Sequence, residues 1–81
     1  MPTVLRVKNA RVVIYPNDHP PPHVHAVGPG GALAKFNLNE PNGPVTLVEQ
    51  KGFKEKDIAA IGEAVARELS AIYAIWRHYH G

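Results

Sequence analysis

The sequence predicts an α+β fold: a four- to five-stranded, mostly antiparallel sheet with one long C-terminal helix packed on one face. Three observations support this prediction. The first part of the chain consists of short alternating or β-branched segments, separated by turns rich in Pro and Gly. Residues 55–79 contain no Pro and repeat their apolar residues at helical spacing. Because all strands precede the helix, the order favours an antiparallel sheet over alternating strand–helix units.

Short strands account for the first part of the chain. Five strands are expected, at about residues 3–8, 11–15, 23–27, 32–39 and 45–49. The second is mostly β-branched and ends before Pro16, which lacks the N–H that a central strand needs. The third and fourth alternate in character, so each is expected to have one apolar side and one more polar side.

The connections between strands have clear local signals. Residues 16–22 include three successive prolines, which cannot donate hydrogen bonds to a strand ladder. The Gly-Pro-Gly-Gly run at 28–31 predicts a tight turn between the third and fourth strands. Residues 40–44 combine Pro, Asn and Gly and predict a loop before the fifth strand.

A single long helix is expected at about residues 55–79. Its apolar stripe recurs every three or four residues and comprises Ile58, Ile61, Val65, Leu69, Ile72, Tyr73 and Trp76. Acidic Glu55 and Asp57 in the first turn and basic Arg77 in the last turn suit the helix dipole. Trp76 belongs to the stripe, so we expect it to pack in the core.

The hairpin of the third and fourth strands decides where the histidines lie. A three-residue loop would set His25 opposite Leu33 and His23 opposite Lys35. This register separates polar from apolar side chains and places both imidazoles with Lys35, away from the helix. A four-residue loop would instead turn the imidazoles towards the apolar interior, so the first register is preferred.

The segment from His19 to His25 is the most informative part of the sequence. His23 and His25 alternate on a strand, so their imidazoles point the same way with Cα atoms about 7 Å apart. This spacing occurs in metal-binding strands and in paired acid and base groups. The prolines stiffen the approach to His19, and Asp18 can orient a ring nitrogen.

Three interpretations of these histidines remain open. They can be structural, hydrogen-bonding loop carbonyls and covering a sheet edge. They can act as acid and base on a phosphodiester, with His19, His23, His25 and Lys35 as the catalytic residues and Lys35 stabilising the charged phosphorane. The third is a divalent transition metal on His23 and His25, although no carboxylate lies at an obvious ligand spacing. The preferred expectation includes no cofactor.

Length and composition exclude several classes of protein and several kinds of site. With 81 residues the chain 1–81 is expected to form a single domain. A net charge of +2 is too small to indicate nucleic acid by itself. The absence of Cys excludes disulfides, thiolate zinc sites and a thiol nucleophile. No apolar run is long enough for a membrane helix or a secretory signal, so we expect a cytoplasmic protein without a membrane partner.

Several motifs together resemble a known family of small bacterial proteins, the domain of unknown function 4160. They are Met1 to Arg6, His19-x-Pro-Pro-His23-Val24-His25, Ala34-Lys35-Phe36, Gly52-Phe53 and Trp76-x-x-Tyr79. The resemblance spans nearly the whole chain. This sequence has Lys54 where the family tends to have Ser at the helix start, so a capping interaction with Asp57 is lost.

The resemblance implies a partner more than an activity. Members are often encoded beside another small protein, the domain of unknown function 2442, in an arrangement similar to a toxin–antitoxin pair. The preferred function is therefore a toxin-like component acting on RNA through the His cluster, with a small cognate protein encoded nearby. The alternative is a non-catalytic interaction module, or a transition-metal-binding protein, using the same His face. The uncovered sheet face also favours a homodimer or a complex.

Overall fold

The computed structural model describes residues 3–39 and 42–80, which form one antiparallel sheet and two helices. The strands are β1 Thr3–Val7, β2 Ala10–Val13, β3 His23–Val27, β4 Leu33–Asn37 and β5 Thr46–Lys51. The helices are α1 Glu55–Arg67 and α2 Leu69–His80. Each strand pairs with its neighbour in the chain, in the order β1-β2-β3-β4-β5. The α+β class and the antiparallel sheet are thus confirmed.

The prediction of one long helix is wrong, because the helix breaks at Glu68. This residue has φ −106° and ψ 20°, and its N–H is shared among carbonyls of the preceding turn. The apolar stripe runs through the break without a gap, from Val65 to Leu69 and Ile72. No Pro or Gly marks the position, so the local sequence carries no signal for the break.

The hairpin of β3 and β4 keeps the predicted faces but has a different register. Val27 pairs with Leu33, so the loop has five residues, 28–32, instead of three. Gly30 and Gly31 both have positive φ, which uses both glycines in the turn. A shift of two residues leaves each side chain on its face. It places His25 opposite Lys35, where the sequence had predicted Leu33.

The core lies between one face of the sheet and both helices. Even-numbered residues of the central strands form the sheet side of the core: Ala10, Val12, Val24, Ala26, Ala34 and Phe36. The helices contribute Ile61, Val65, Ile72 and Trp76. Trp76 is 3% exposed, which confirms its predicted place in the core. The odd-numbered residues His23, His25 and Lys35 therefore belong to the opposite face.

The start of α1 and the loop before β5 test two of the sequence predictions. Lys54 is the N-cap of α1 and makes no side-chain capping hydrogen bond, as expected from the missing Ser. The predicted loop 40–44 lies partly outside the described residues, which omit Glu40 and Pro41. On its described part, the Asn39 side-chain amide donates to the Pro44 carbonyl at 2.8 Å. Among the described residues, neither helix has the length and apolar character needed to span a membrane.

Candidate metal centre

The connection between β2 and β3 brings a carboxylate back to the sheet. Pro16 and Asn17 occupy the middle of a tight turn, in which the Asp18 N–H donates to the Tyr15 carbonyl at 3.0 Å. Pro at this position has its φ already set for such a turn. The turn reverses the chain, so that the side chain of Asp18 meets the start of β3.

Three side chains converge at this point. The Asp18 Oδ2 atom lies 3.1 Å from His23 Nε2 and 3.2 Å from His25 Nε2. One ligand-type atom from each of the three residues lies within 4.8 Å of the other two. One carboxylate oxygen and two imidazole nitrogens therefore surround a single small volume.

His23 is held by contacts on three sides. Its Nδ1 lies 2.8 Å from the carbonyl oxygen of Pro21, which can only accept, so Nδ1 carries the proton. Its ring centroid is 5.2 Å from that of Trp76 and 5.1 Å from that of His25. In the neutral ring the lone pair is therefore on Nε2, the nitrogen that faces Asp18.

Two of the three polar atoms at the centre lack hydrogen-bond partners. Asp18 Oδ2 and His25 Nε2 are both buried, and neither makes a hydrogen bond despite their short separation. A carboxylate oxygen 3.1 Å from an imidazole nitrogen needs a proton or a metal ion between the two atoms, because two lone pairs repel each other. A cation between these atoms would satisfy them together.

The charge state of His25 also follows from its surroundings. Burial lowers the pKa of His25 from its ordinary value of 6.5, and His23 and Lys35 lower it further, although the Asp18 carboxylate opposes the shift. The imidazole is thus neutral at neutral pH, which is the form that binds a metal. The Tyr15 ring packs edge-on against it at 4.8 Å.

Comparison with known proteins places the chain in a family. The family model described as domain of unknown function (DUF4160) matches residues 10–77. The chain belongs to this family. The matched region contains Asp18, His23, His25 and Trp76. Neither the curated proteins nor the solved structures contain a match to this chain.

The site residues predicted from the sequence are only partly brought together in this DUF4160 domain. His23 and His25 lie side by side, and Lys35 is directly opposite His25. His19 is exposed and lies outside the group of converging ligand atoms. The prediction that His23 lies away from the helix is wrong, because its side chain is buried and its ring lies 5.2 Å from that of Trp76 on α2.

The sequence analysis did not identify Asp18 as a candidate metal ligand. The expectation that no carboxylate lies at ligand spacing is wrong, because Asp18 reaches both imidazoles. A signal was present, since Tyr15-Pro16-Asn17-Asp18 has the composition of a tight turn that reverses the chain. The turn brings Asp18 close to the two histidines, which a regular spacing along one strand or helix would not do.

Aromatic side chains at the C-terminal end of α2 pack against the candidate centre. The His80 ring stacks on Trp76 at 3.7 Å and 16°, and its Nδ1 lies 3.0 Å from the Trp76 carbonyl. The Trp76 ring in turn lies against His23 at 52°, so the three rings are in contact from the helix end to the candidate ligand. Tyr79, on the same helix, is 41% exposed.

Proposed function

We propose that this protein binds a divalent first-row transition-metal ion through Asp18, His23 and His25. The observation that carries the proposal is the convergence of three ligand atoms, two of them buried and without hydrogen bonds. Buried polar groups are nearly always satisfied in proteins, so such a group needs an explanation. A metal ion explains all three atoms at once.

Two of the three distances between the ligand atoms suit a metal ion. Metal–nitrogen and metal–oxygen bonds of about 2.1 Å at angles between about 90° and 110° separate neighbouring ligand atoms by about 3.0–3.4 Å. The two measured separations from Asp18 Oδ2, 3.1 and 3.2 Å, fall within this range. All three ligand atoms lie within 4.8 Å of one another, and the two imidazole nitrogens can share one ion only when they are no more than about 4.2 Å apart.

The surroundings of His23 also fit a metal ligand. Ligating histidines usually donate their second ring N–H to a carbonyl or carboxylate, which fixes the tautomer and the ring. His23 makes such a bond to the Pro21 carbonyl. Two nitrogens and one oxygen suit zinc, iron, cobalt or nickel better than calcium or magnesium, and three protein ligands leave a coordination position open.

Metal content of the untagged protein tests the proposal. The chain is purified without a histidine tag, loaded with Zn²⁺ or Co²⁺, desalted and measured by elemental analysis. About one ion per chain is expected. Replacing Asp18, His23 or His25 by Ala should weaken binding by at least about tenfold, because each change removes one ligand.

Matched controls separate the centre from adventitious binding by other histidines. His19→Ala removes an exposed imidazole from the same connection, and His78→Ala removes an exposed one from α2. Both variants should bind the metal as the wild type does. Equal loss of metal in His19→Ala and His25→Ala, or no stoichiometric metal in the wild type, would overturn the proposal.

Action on RNA as a toxin-like component stays a prediction. The position of Lys35 opposite His25 supports it, because an ammonium beside an imidazole suits a phosphodiester. His25 Nε2 faces Asp18, which favours metal binding by His25 over general acid–base catalysis. Expression of the chain alone tests the hypothesis: growth arrest and RNA cleavage that both depend on His25 are expected, and toxicity that persists in a His23→Ala/His25→Ala double variant would contradict it.

A protein partner also stays a prediction, either a second copy or a small protein encoded nearby. One feature supports it: β5 is an edge strand with all six residues exposed, and Leu47 and Val48 are among the exposed large apolar residues. Unprotected edges of this kind pair readily with other chains. Sedimentation of the chain alone should give a dimer mass, and a monomer mass across the concentration range would contradict self-association.

A further inference from the structure

A cleft opens beside the candidate metal centre on the same face of the sheet. Its volume is about 370 Å³, and it is lined among others by Tyr15, His25, Leu33, Lys35, Glu49 and Lys51. His25 is thus shared between the centre and the cleft. A ligand in the cleft would contact the imidazole that we propose as a metal ligand.

Strand register explains how the charged residues of the cleft come together. His25 on β3 pairs with Lys35 on β4, and Lys35 pairs with Glu49 on β5. Lys51 pairs with Leu33 one step along the same two strands. Cross-strand partners lie on the same face, so two ammonium groups and one carboxylate line the cleft.

The balance of charge in the cleft is positive. Within the described part of the chain, neither Lys35 nor Lys51 forms an ion pair of 4.0 Å or less with a carboxylate. Glu49 offsets only one of the two lysines. Positive side chains in a concave site attract anions and raise their local concentration.

Apolar side chains complete the wall. Leu33 is 50% exposed and lines the cleft on this face. The Tyr15 ring stands on the other side of the cleft beside His25. Pockets for small molecules combine such apolar walls with a few polar groups that fix orientation.

We infer that this cleft binds a small organic oxyanion, a carboxylate or phosphate carried on a short apolar body. Lys35 and Lys51 hold the oxyanion, and Leu33 and Tyr15 contact the apolar body. The inference rests on the proposed function in one respect only: in the metal-loaded protein, the ion beside His25 strengthens binding of the same anion. The contribution of the lysines does not need the metal.

Titrations with phenyl phosphate, benzoate, inorganic phosphate and neutral benzyl alcohol test the inference, with binding followed by NMR of the backbone amides. Each is done on metal-free and on Zn²⁺-loaded protein. Phenyl phosphate or benzoate should shift the amides around Leu33 and Lys35, and Lys35→Gln should weaken binding at least about fivefold. Lys56→Gln, an exposed lysine on α1 outside the cleft, is the matched control and should change nothing.

The outcomes separate the two proposals and the two oxyanions. The tighter of phenyl phosphate and benzoate identifies the preferred group. Binding to metal-free protein that Zn²⁺ does not strengthen leaves the cleft standing and overturns the contribution of the ion to it. Benzyl alcohol binding as tightly as the anions, no shift near Leu33, or equal effects of Lys35→Gln and Lys56→Gln would overturn the inference. Inorganic phosphate binding as tightly as phenyl phosphate would overturn the role of the apolar wall.

Discussion

At the scale of single residues, burial of His25 makes the folded chain sensitive to acid. The unfolded chain takes up a proton at His25 near pH 6.5, whereas the folded chain takes it up only at lower pH, because burial lowers the pKa. The unfolded state thus binds more protons in this window. The contribution of His25 to stability is fully present above pH 6.5 and is lost as the pH falls through the lowered pKa.

We predict that the metal-free protein becomes less stable as the pH falls below about 6.5. Urea unfolding at a series of pH values measures this slope. The variant His25→Gln, which cannot titrate, should show a shallower slope than the wild type. An equal slope in both proteins, or greater wild-type stability at pH 5.5 than at pH 7, would contradict the assignment.

A second prediction concerns Trp76, which touches a proposed ligand but cannot bind a metal itself. Trp76→Ala should lower the free energy of unfolding by about 3–5 kcal/mol, because a large buried side chain is removed. It should also weaken metal binding, since His23 loses the ring that packs against it. Tyr79→Ala, an exposed aromatic on the same helix, should change stability by less than about 0.5 kcal/mol.

Metal affinity in Trp76→Ala distinguishes positioning from simple stability. It is measured at a temperature and urea concentration where circular dichroism shows both proteins folded. Weaker binding by the folded variant supports a positioning role for Trp76. Unchanged affinity would mean that the proline connection alone fixes His23.

At the scale of elements, the start of α1 has an identifiable defect. Lys54 occupies the N-cap without a side-chain hydrogen bond, and Asp57 stands three positions later where a capping box has its acidic partner. We predict that Lys54→Ser stabilises the protein by about 0.5–1.5 kcal/mol. Lys54→Ala removes the same charge without adding a cap and should not stabilise. Chemical denaturation of both variants measures the difference, and equal effects would rule out capping as the cause.

The sequence predicted the strands and the helical region better than it predicted the helix break and the strand register. Alternation and helical periodicity are local properties, so the strands and the helical region follow from them directly. The break at Glu68 has no local signal, because the apolar stripe continues across it. The hairpin illustrates both cases: alternation gave the correct face for His25, but the loop conformation set its partner as Lys35.

The candidate site shows the same limit. His23 and His25 were recognisable because they share one strand, where the period of two fixes their directions. Asp18 lies on a connection, where no period applies, and its position depends on the turn at Pro16. His19, its immediate neighbour, points elsewhere and stays exposed. Residues contributed by irregular segments are therefore the ones that sequence patterns cannot place.

At the scale of the whole molecule, metal binding should stabilise a chain with a small core. A ligand that binds only the folded state adds about 2.7 kcal/mol at a free concentration of 100 times its Kd. For a domain of this size that corresponds to a rise of roughly 10–20 °C in the melting temperature. Thermal unfolding with and without Zn²⁺ measures it. His19→Ala should keep the rise and His25→Ala should lose it, and an equal rise in both would place the ion elsewhere.

The most direct test of the metal centre is diffraction from crystals of the Zn²⁺-loaded protein, recorded on both sides of the zinc absorption edge. One anomalous peak is expected within about 2.0–2.2 Å of Asp18 Oδ2, His23 Nε2 and His25 Nε2. A zinc peak at another position, such as beside His78, would contradict the metal centre. So would crystals of protein with one zinc per chain that show no peak among these three atoms.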